Sequence, residues 1–198
     1  MSTTETGRPA GTPTSLESFD LLARARRTSL LIDRAAPVPD ELVERLLRMA
    51  TWAPNHKRTW PWRFAVVTGE GRTRLGQLVA AFEERRGSDE TKIAKAAGKY
   101  LRAPVVLLIG SAWDPSETRR QEDRDAVAAG VQNLLLGATA AGLASHWATG
   151  DWMADPDVKN FAGLGPDDQV VALVYLGWPS GEVAAVERPE PVVAHIER

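Results

Sequence analysis

The sequence predicts one layered α/β or α+β domain, and three features carry that expectation. Two near-continuous apolar runs, "APVVLLIGSA" from Ala103 and "QVVALVYLGWP" from Gln169, read as buried strands. Segments with apolar residues at helical spacing separate them from each other and from a shorter β-rich run, "RFAVVT" from Arg63. Strand and helix do not alternate strictly, so a plain Rossmann sheet is not implied. With 198 residues the chain can enclose one core.

Taken in order, "MSTTETGRPAGTPTS" is rich in Ser, Thr, Gly and Pro and lacks an apolar h-region. It reads as a disordered leader over 1–14, not a signal peptide, ahead of a single domain over 15–198. "SLESFDLLARARR" places Leu16, Phe19 and Leu22 or Ala23 on one helical face. A stronger helix follows in "RAAPVPDELVERLLRMATWA". Pro39 suits its first turn, Asp40 and Glu41 favour the positive end of the dipole, and Leu42, Leu46, Met49 and Ala50 form its stripe. After "RFAVVT", the "GEG" at Gly69–Gly71 turns the chain into a helix expected near Thr73–Glu84. The weaker helix "DETKIAKAAGKYL" precedes the first buried strand. The longest helix is expected over Glu117–Ala141, with Val127, Val131, Leu134, Leu135, Ala138 and Gly142 along one side. "LASHWATG" is a short strand or loop, and "DPDVKNFAGLG" a short helix with a Gly stop.

Composition narrows the function classes. Lys and Arg number 24 against 26 Asp and Glu, so bulk charge points to neither nucleic acid nor an anionic membrane as partner. No apolar stretch reaches bilayer length; "LLLGATAAGLA" is too short and too rich in small residues. The absence of cysteine excludes disulfides, thiolate metal sites and a cysteine nucleophile. It fits a reducing cytosol, and the expected location is cytoplasmic.

Several candidate chemistries have plainer readings. Gly69 and Gly71 stand where a dinucleotide loop would sit, but Arg74 occupies the place of the third glycine, so an ordinary turn is expected. His56, His146 and His195 lack metal-ligand spacing, and no metal site is expected. Ser145 lacks the G-x-S-x-G elbow of a hydrolase. Glu83–Glu84 and Glu122–Asp123 read as solvated helix faces. "RARRTS" is open to two readings: a basic turn that satisfies helix carbonyls, or a phosphate clamp of forked guanidinium donors and a hydroxyl. Thr149–Gly150 is equally open, as a turn or as bare backbone N–H groups facing a ligand. The turn "ATWAPNHKRTWPW" is the least ordinary segment. Large aromatics in a loop point to a flat ligand or a partner surface that covers them.

Four segments in order, "RRT" at 26–28, "APNHK…PW" at 53–62, "VQNLLLGATAAGLASHWATG" at 131–150 and "VVALVYLGWP" at 170–179, resemble the FMN-dependent nitroreductase family, in particular its short bacterial branch. The resemblance covers nearly the whole chain after the leader. It implies an α+β fold in three layers, α-β-α, with a mixed, mostly antiparallel sheet wrapped by helices. It also implies an obligate homodimer whose long central helices pack together, with one FMN in each of two sites at the subunit interface. Arg26, Arg27 and Thr28 would hold the phosphate and ribityl chain. Trp52 and His56 would reach the FMN of the other subunit. Trp147, Ala148, Thr149 and Gly150 would line the isoalloxazine, and Arg188, in "ERPEP", matches a phosphate-side arginine of some relatives.

Two positions depart from the family pattern. Ala148 stands where close relatives often have Arg, and Trp60 where many carry an amide, so the pocket is more apolar than usual. Trp62, which leads the strand, is read as core. The implied activity is reduction of small electron-poor molecules, such as nitroaromatics or quinones, with NADH or NADPH as reductant and no side chain acting as general acid. A flavin carrier, sensor or oxygen-using enzyme on the same fold is the alternative. A nucleic-acid module built on "RARR" and "KIAKAAGK" is disfavoured by the charge balance.

Overall fold

The computed structural model describes residues 15–196; the expected leader lies outside them. Six helices and four strands alternate irregularly: α1 (Leu16–Ala25), α2 (Asp40–Ala50), β1 (Trp62–Val67), α3 (Gly69–Arg85), α4 (Glu90–Gly98), β2 (Val105–Ser111), α5 (Glu117–Ala140), β3 (Ala144–Ala148), α6 (Pro156–Phe161) and β4 (Gln169–Gly177). Short 3₁₀ turns occupy His56–Arg58, Lys99–Arg102 and Asp151–Ala154.

The strands form one sheet in the order β1-β2-β4-β3, and every neighbouring pair is antiparallel. One parallel bridge, Thr28 to Ser145, is added outside the named strands. Central strands β2 and β4 are apolar almost throughout because helices cover both their faces. Val105, Leu107 and Ile109 face a core with Val43 and Leu46 of α2 and Val127, Val131 and Leu134 of α5. Val106 and Leu108 face a second core with Leu75 and Val79 of α3, Tyr100 and Val158. The architecture is therefore α-β-α.

Local chemistry explains most boundaries. Ser15, Asp89, Ser116 and Asp155 cap α1, α4, α5 and α6 by accepting backbone N–H groups. Helix α3 begins at Gly69, earlier than the sequence pattern indicates, because "GEG" forms its first turn and not a separate one. Gly142 lies beyond α5, at φ +78°, in the turn into β3. The glycines inside α5 admit α2: a Cβ on Gly130 would stand 2.6 Å from the Ala50 carbonyl oxygen and 2.8 Å from Trp62 Nε1. Gly137 likewise makes room for Met49. Trp62 is buried, as expected of a core residue.

Two acidic positions read as solvated faces are instead buried. Glu83 is enclosed beside Lys92 Nζ at 2.8 Å and Ser88 Oγ at 2.6 Å, and these partners hold its carboxyl below the usual range. Asp123 is buried against the aromatic turn. Helix α1 shows the reverse. Its apolar side is present, with Leu16 and Phe19, but no residue of the helix is buried by its own chain.

Candidate functional site

The chain leaves α1 at Arg26, whose extended backbone ends the helix while its N–H still bonds the Leu22 carbonyl. Arg27 folds its Nη1 back onto the carbonyls of Arg24 and Arg26, and its Nε is buried without a protein acceptor. Thr28 then bridges Ser145, and the Ser29 N–H donates to the Ser145 carbonyl at 2.9 Å. The Arg26–Ser29 segment is thereby pinned along the start of edge strand β3.

From Ser145 to Gly150 the edge runs five residue steps, about 17 Å at ~3.3 Å per residue. Among the described residues, neither the Thr149 nor the Gly150 N–H donates to a protein acceptor. Alternation along β3 sends Trp147 toward the α2/α5 core and His146 toward the opposite one. Trp147 Nε1 is buried without an acceptor. His146 meets the Tyr175 ring edge-on at 5.9 Å; burial, with Arg102 adding to it, lowers its pKa. It packs within the fold, held toward its neutral form. Burial likewise raises Tyr175 to about 12. A Cβ on Gly150 would collide with the Trp152 indole, so packing inside the chain also demands glycine there.

The aromatic turn is built on strain held by a buried acid. Lys57, Arg58 and Trp60 all adopt left-handed backbone, with φ of 62°, 55° and 52°. Such conformations cost roughly 1–3 kcal/mol each and persist where surrounding bonds over-determine them. Asn55 supplies those bonds. Its Oδ1 accepts the Trp60 N–H at 2.9 Å, and its Nδ2 donates to Thr59 Oγ1 at 2.9 Å and to Asp123 Oδ1 at 3.3 Å. The Thr59 hydroxyl also donates to Asp123. His56 Nδ1 lies 2.9 Å from Glu122 Oε1, and Glu122 Oε2 lies 3.5 Å from Arg119 Nη1. Asn55, Thr59 and Arg119 carried no signal of their own in the sequence, and Glu122–Asp123 was expected to be a solvated helix face. The motif "APNHK" contains one of them, but its partners on α5 lie more than sixty positions away.

The other candidates are more scattered. Trp52, 85% exposed, rims an apolar groove of about 350 Å³ between Phe19 and Leu22 of α1, Met49 of α2 and Leu136 and Ala140 of α5. Arg188 sits on an exposed tail without regular structure and makes no hydrogen bond or ion pair among the described residues. Because neighbouring strands are antiparallel, the start of β1 and the end of β3 share one end of the sheet, on opposite edges. Three strand spacings, about 14 Å, separate those edges. The chain thus unites Arg26, Arg27 and Thr28 with Trp147–Gly150, and keeps His56 at the far edge.

Comparison with known proteins decides the family. A profile described as the nitroreductase family matches residues 23–178. The chain belongs to the nitroreductase family. A Bacillus subtilis relative, YfhC, provisionally named an NAD(P)H nitroreductase, is 32% identical over 174 residues, covering 86% of this chain and 89% of its own. The crystal structure of a nitroreductase-like family protein from Bacillus cereus superposes with a TM-score of 0.77 at 28% identity, covering 89% of this chain and 94% of the other. A nitroreductase with bound FMN from Bacteroides fragilis shares the fold at a TM-score of 0.71 and 20% identity, over 90% and 97% of the two chains. The matched span includes both edges of the sheet and excludes Arg188. No helix among the described residues is long and apolar enough to cross a membrane.

Proposed function

We propose that this protein is a homodimeric, FMN-dependent NAD(P)H oxidoreductase that reduces nitroaromatic or quinone-like acceptors. The edge of β3 carries the reading: the backbone of the basic Arg26–Ser29 segment is bonded at Ser145, and about 17 Å along that edge, past the end of β3, the Thr149 and Gly150 N–H groups lack a protein acceptor among the described residues. That layout fits a phosphorylated chain ending in a flat ring. The buried Arg27 Nε and Trp147 Nε1 are donors in want of an acceptor, which a polar ligand supplies.

In this reading Arg26, Arg27 and Thr28 hold the phosphate and ribityl hydroxyls. Trp147, Ala148, Thr149 and Gly150 line the ring, with the Thr149 and Gly150 N–H groups turned toward its acceptor atoms. His56 comes from the second subunit, since within one chain it stands at the opposite sheet edge, and Trp52, which rims the α1 groove of its own chain, is assigned to the other subunit's FMN with it. FMN held there would supply a two-electron carrier, taking hydride from NAD(P)H and giving it to an electron-poor acceptor in the same slot, hence ping-pong kinetics. Ala148 and Trp60 leave that slot apolar, which suits uncharged aromatic acceptors. Arg188 joins the site only if the tail of one subunit folds over the other.

Purification tests the reading. The protein is expected to be yellow, to release FMN and not FAD on heating, and to bleach when mixed anaerobically with NADH or NADPH. A colourless chain that gains no flavin on reconstitution refutes it. Bound flavin that neither nucleotide bleaches favours a carrier or sensor, for which the missing charge at Ala148 is the motive.

A further inference from the structure

The aromatic turn does more than carry His56; it fixes which face of the imidazole is available. The ring's backbone is set by the Asn55–Thr59–Asp123 bonds beneath it, and its Nδ1 lies 2.9 Å from Glu122 Oε1. A carboxylate accepts and cannot donate, so the proton of a neutral ring at that contact belongs on Nδ1. Glu122 is itself held. Its second oxygen faces Arg119 Nη1 at 3.5 Å, a nitrogen that is buried and has no hydrogen-bond acceptor of its own. Arg119 thus keeps the carboxylate oriented by charge while its oxygen remains committed to His56.

We propose that Glu122, backed by Arg119, is a positioning residue for His56, fixing the Nδ1–H form and turning Nε2 outward as the ring's working atom. The inference rests on the proposed FMN reading for what Nε2 meets. With Nδ1 as the donor, Nε2 of the neutral ring is an acceptor. It therefore suits a hydroxyl or N–H of the cofactor or substrate, not a phosphate oxygen, and the phosphate is left to Arg26 and Arg27. His56 is more than half exposed in the single chain, so Nε2 is free to meet the edge of a second subunit.

The test reads the ring directly. The full chain, as isolated and labelled with nitrogen-15, gives imidazole correlation spectra for three histidines, assigned by single His→Gln variants. At a pH where the ring is neutral, His56 should carry its proton on Nδ1. Glu122→Ala should move it to Nε2, and Glu122→Gln, which keeps an acceptor oxygen within reach, should retain the Nδ1–H form. FMN titration supplies the second readout. Glu122→Ala should weaken affinity by about the same factor as His56→Ala, on the order of tenfold or less for one neutral hydrogen bond. The double variant should be no weaker than either single one. A wild-type ring protonated on Nε2, or a tautomer unmoved by Glu122→Ala, overturns the positioning role even if FMN binds. Failure to bind FMN overturns the proposed function and leaves the tautomer result to decide the role of Glu122.

Discussion

Asp123→Ala should loosen the aromatic turn before it harms anything else. The substitution removes the acceptor of Asn55 Nδ2, at 3.3 Å, and of the Thr59 hydroxyl. Each hydrogen bond to a charged group contributes roughly 1.5–3 kcal/mol, so the two together contribute about 3–6 kcal/mol. Part of that is offset, because Asp123 is only 3% exposed and its charge no longer has to be buried. Asn55 and Thr59 lie near the surface and can bond water instead. The net loss is about 2–3 kcal/mol, which for a domain of this size lowers Tm by about 4–12 °C. The local effect should be larger than the global one. Freed of its anchor, Asn55 no longer holds the Trp60 N–H, and the left-handed backbone at Lys57, Arg58 and Trp60 can relax. Thermal unfolding checks the first expectation, and amide hydrogen exchange across 55–60 checks the second. A Tm lowered by less than about 2 °C, with unchanged exchange at Trp60, would show that the buried acid does not hold the turn.

Arg26→Ala should lower FMN affinity by about one to two decades while leaving the apo-chain's Tm nearly unchanged; an unaltered FMN Kd would return this arginine to the role of a solvated turn. Gly130→Ala should cost about 1–3 kcal/mol, because its Cβ would stand 2.6 Å from the Ala50 carbonyl, and chemical denaturation would measure it. His146→Gln should flatten the acid side of the stability profile. Its folded pKa lies below the ordinary 6.5, so the unfolded chain takes the proton first, and stability present above pH 6.5 is lost as pH falls through it. Denaturation on either side of that pH would show whether the slope survives the substitution. A heterodimer of His56→Ala and Arg26→Ala subunits should recover about half the wild-type flavin, since both lesions fall on one of two independent shared sites; no recovery would mean that each subunit builds its own.

The order of elements was legible because it depends on apolar period and on caps, both local. Strands β2 and β4 announce themselves as unbroken apolar runs, and α2 by its stripe. The acidic residues were not legible. Asp123 and Glu122 stand among Arg, Gln and Asp on α5, where only their partners in "NHKRT" distinguish them from solvated charge. The left-handed run at Lys57, Arg58 and Trp60 gives no signal either, since none of these is a residue type that favours positive φ. Gly130 and Gly137 are small positions on α5 that let another backbone approach closely. In the structure they receive α2 of the same chain, because a gap between helices looks the same in sequence whichever chain fills it.

With α2 in those gaps, we expect the subunit contact to use another surface as well. With its small-residue positions occupied by α2, helix α5 offers a partner mainly the groove it shares with α1 and Trp52. That groove exposes Phe19 at 50% and Trp52 at 85%, and Leu16 at the start of α1 is 80% exposed. Among the described residues this amphipathic helix has no fully buried side chain, so it lacks much of the packing from which most helical stability comes. Helix α1 is therefore expected to be ordered by something laid across it, and contiguous apolar surface of this kind marks interaction sites. Cover over α1 also bears on the cofactor edge, because Arg26 is the residue that ends that helix. A two-fold contact here would stabilise the guanidinium segment along β3 and bring the opposite edge of the other chain's sheet to it in one step. Loss of the dimer and loss of FMN are then one event: dilution below the dissociation constant should release flavin and fray α1 together, and flavin retained by a monomer would separate them.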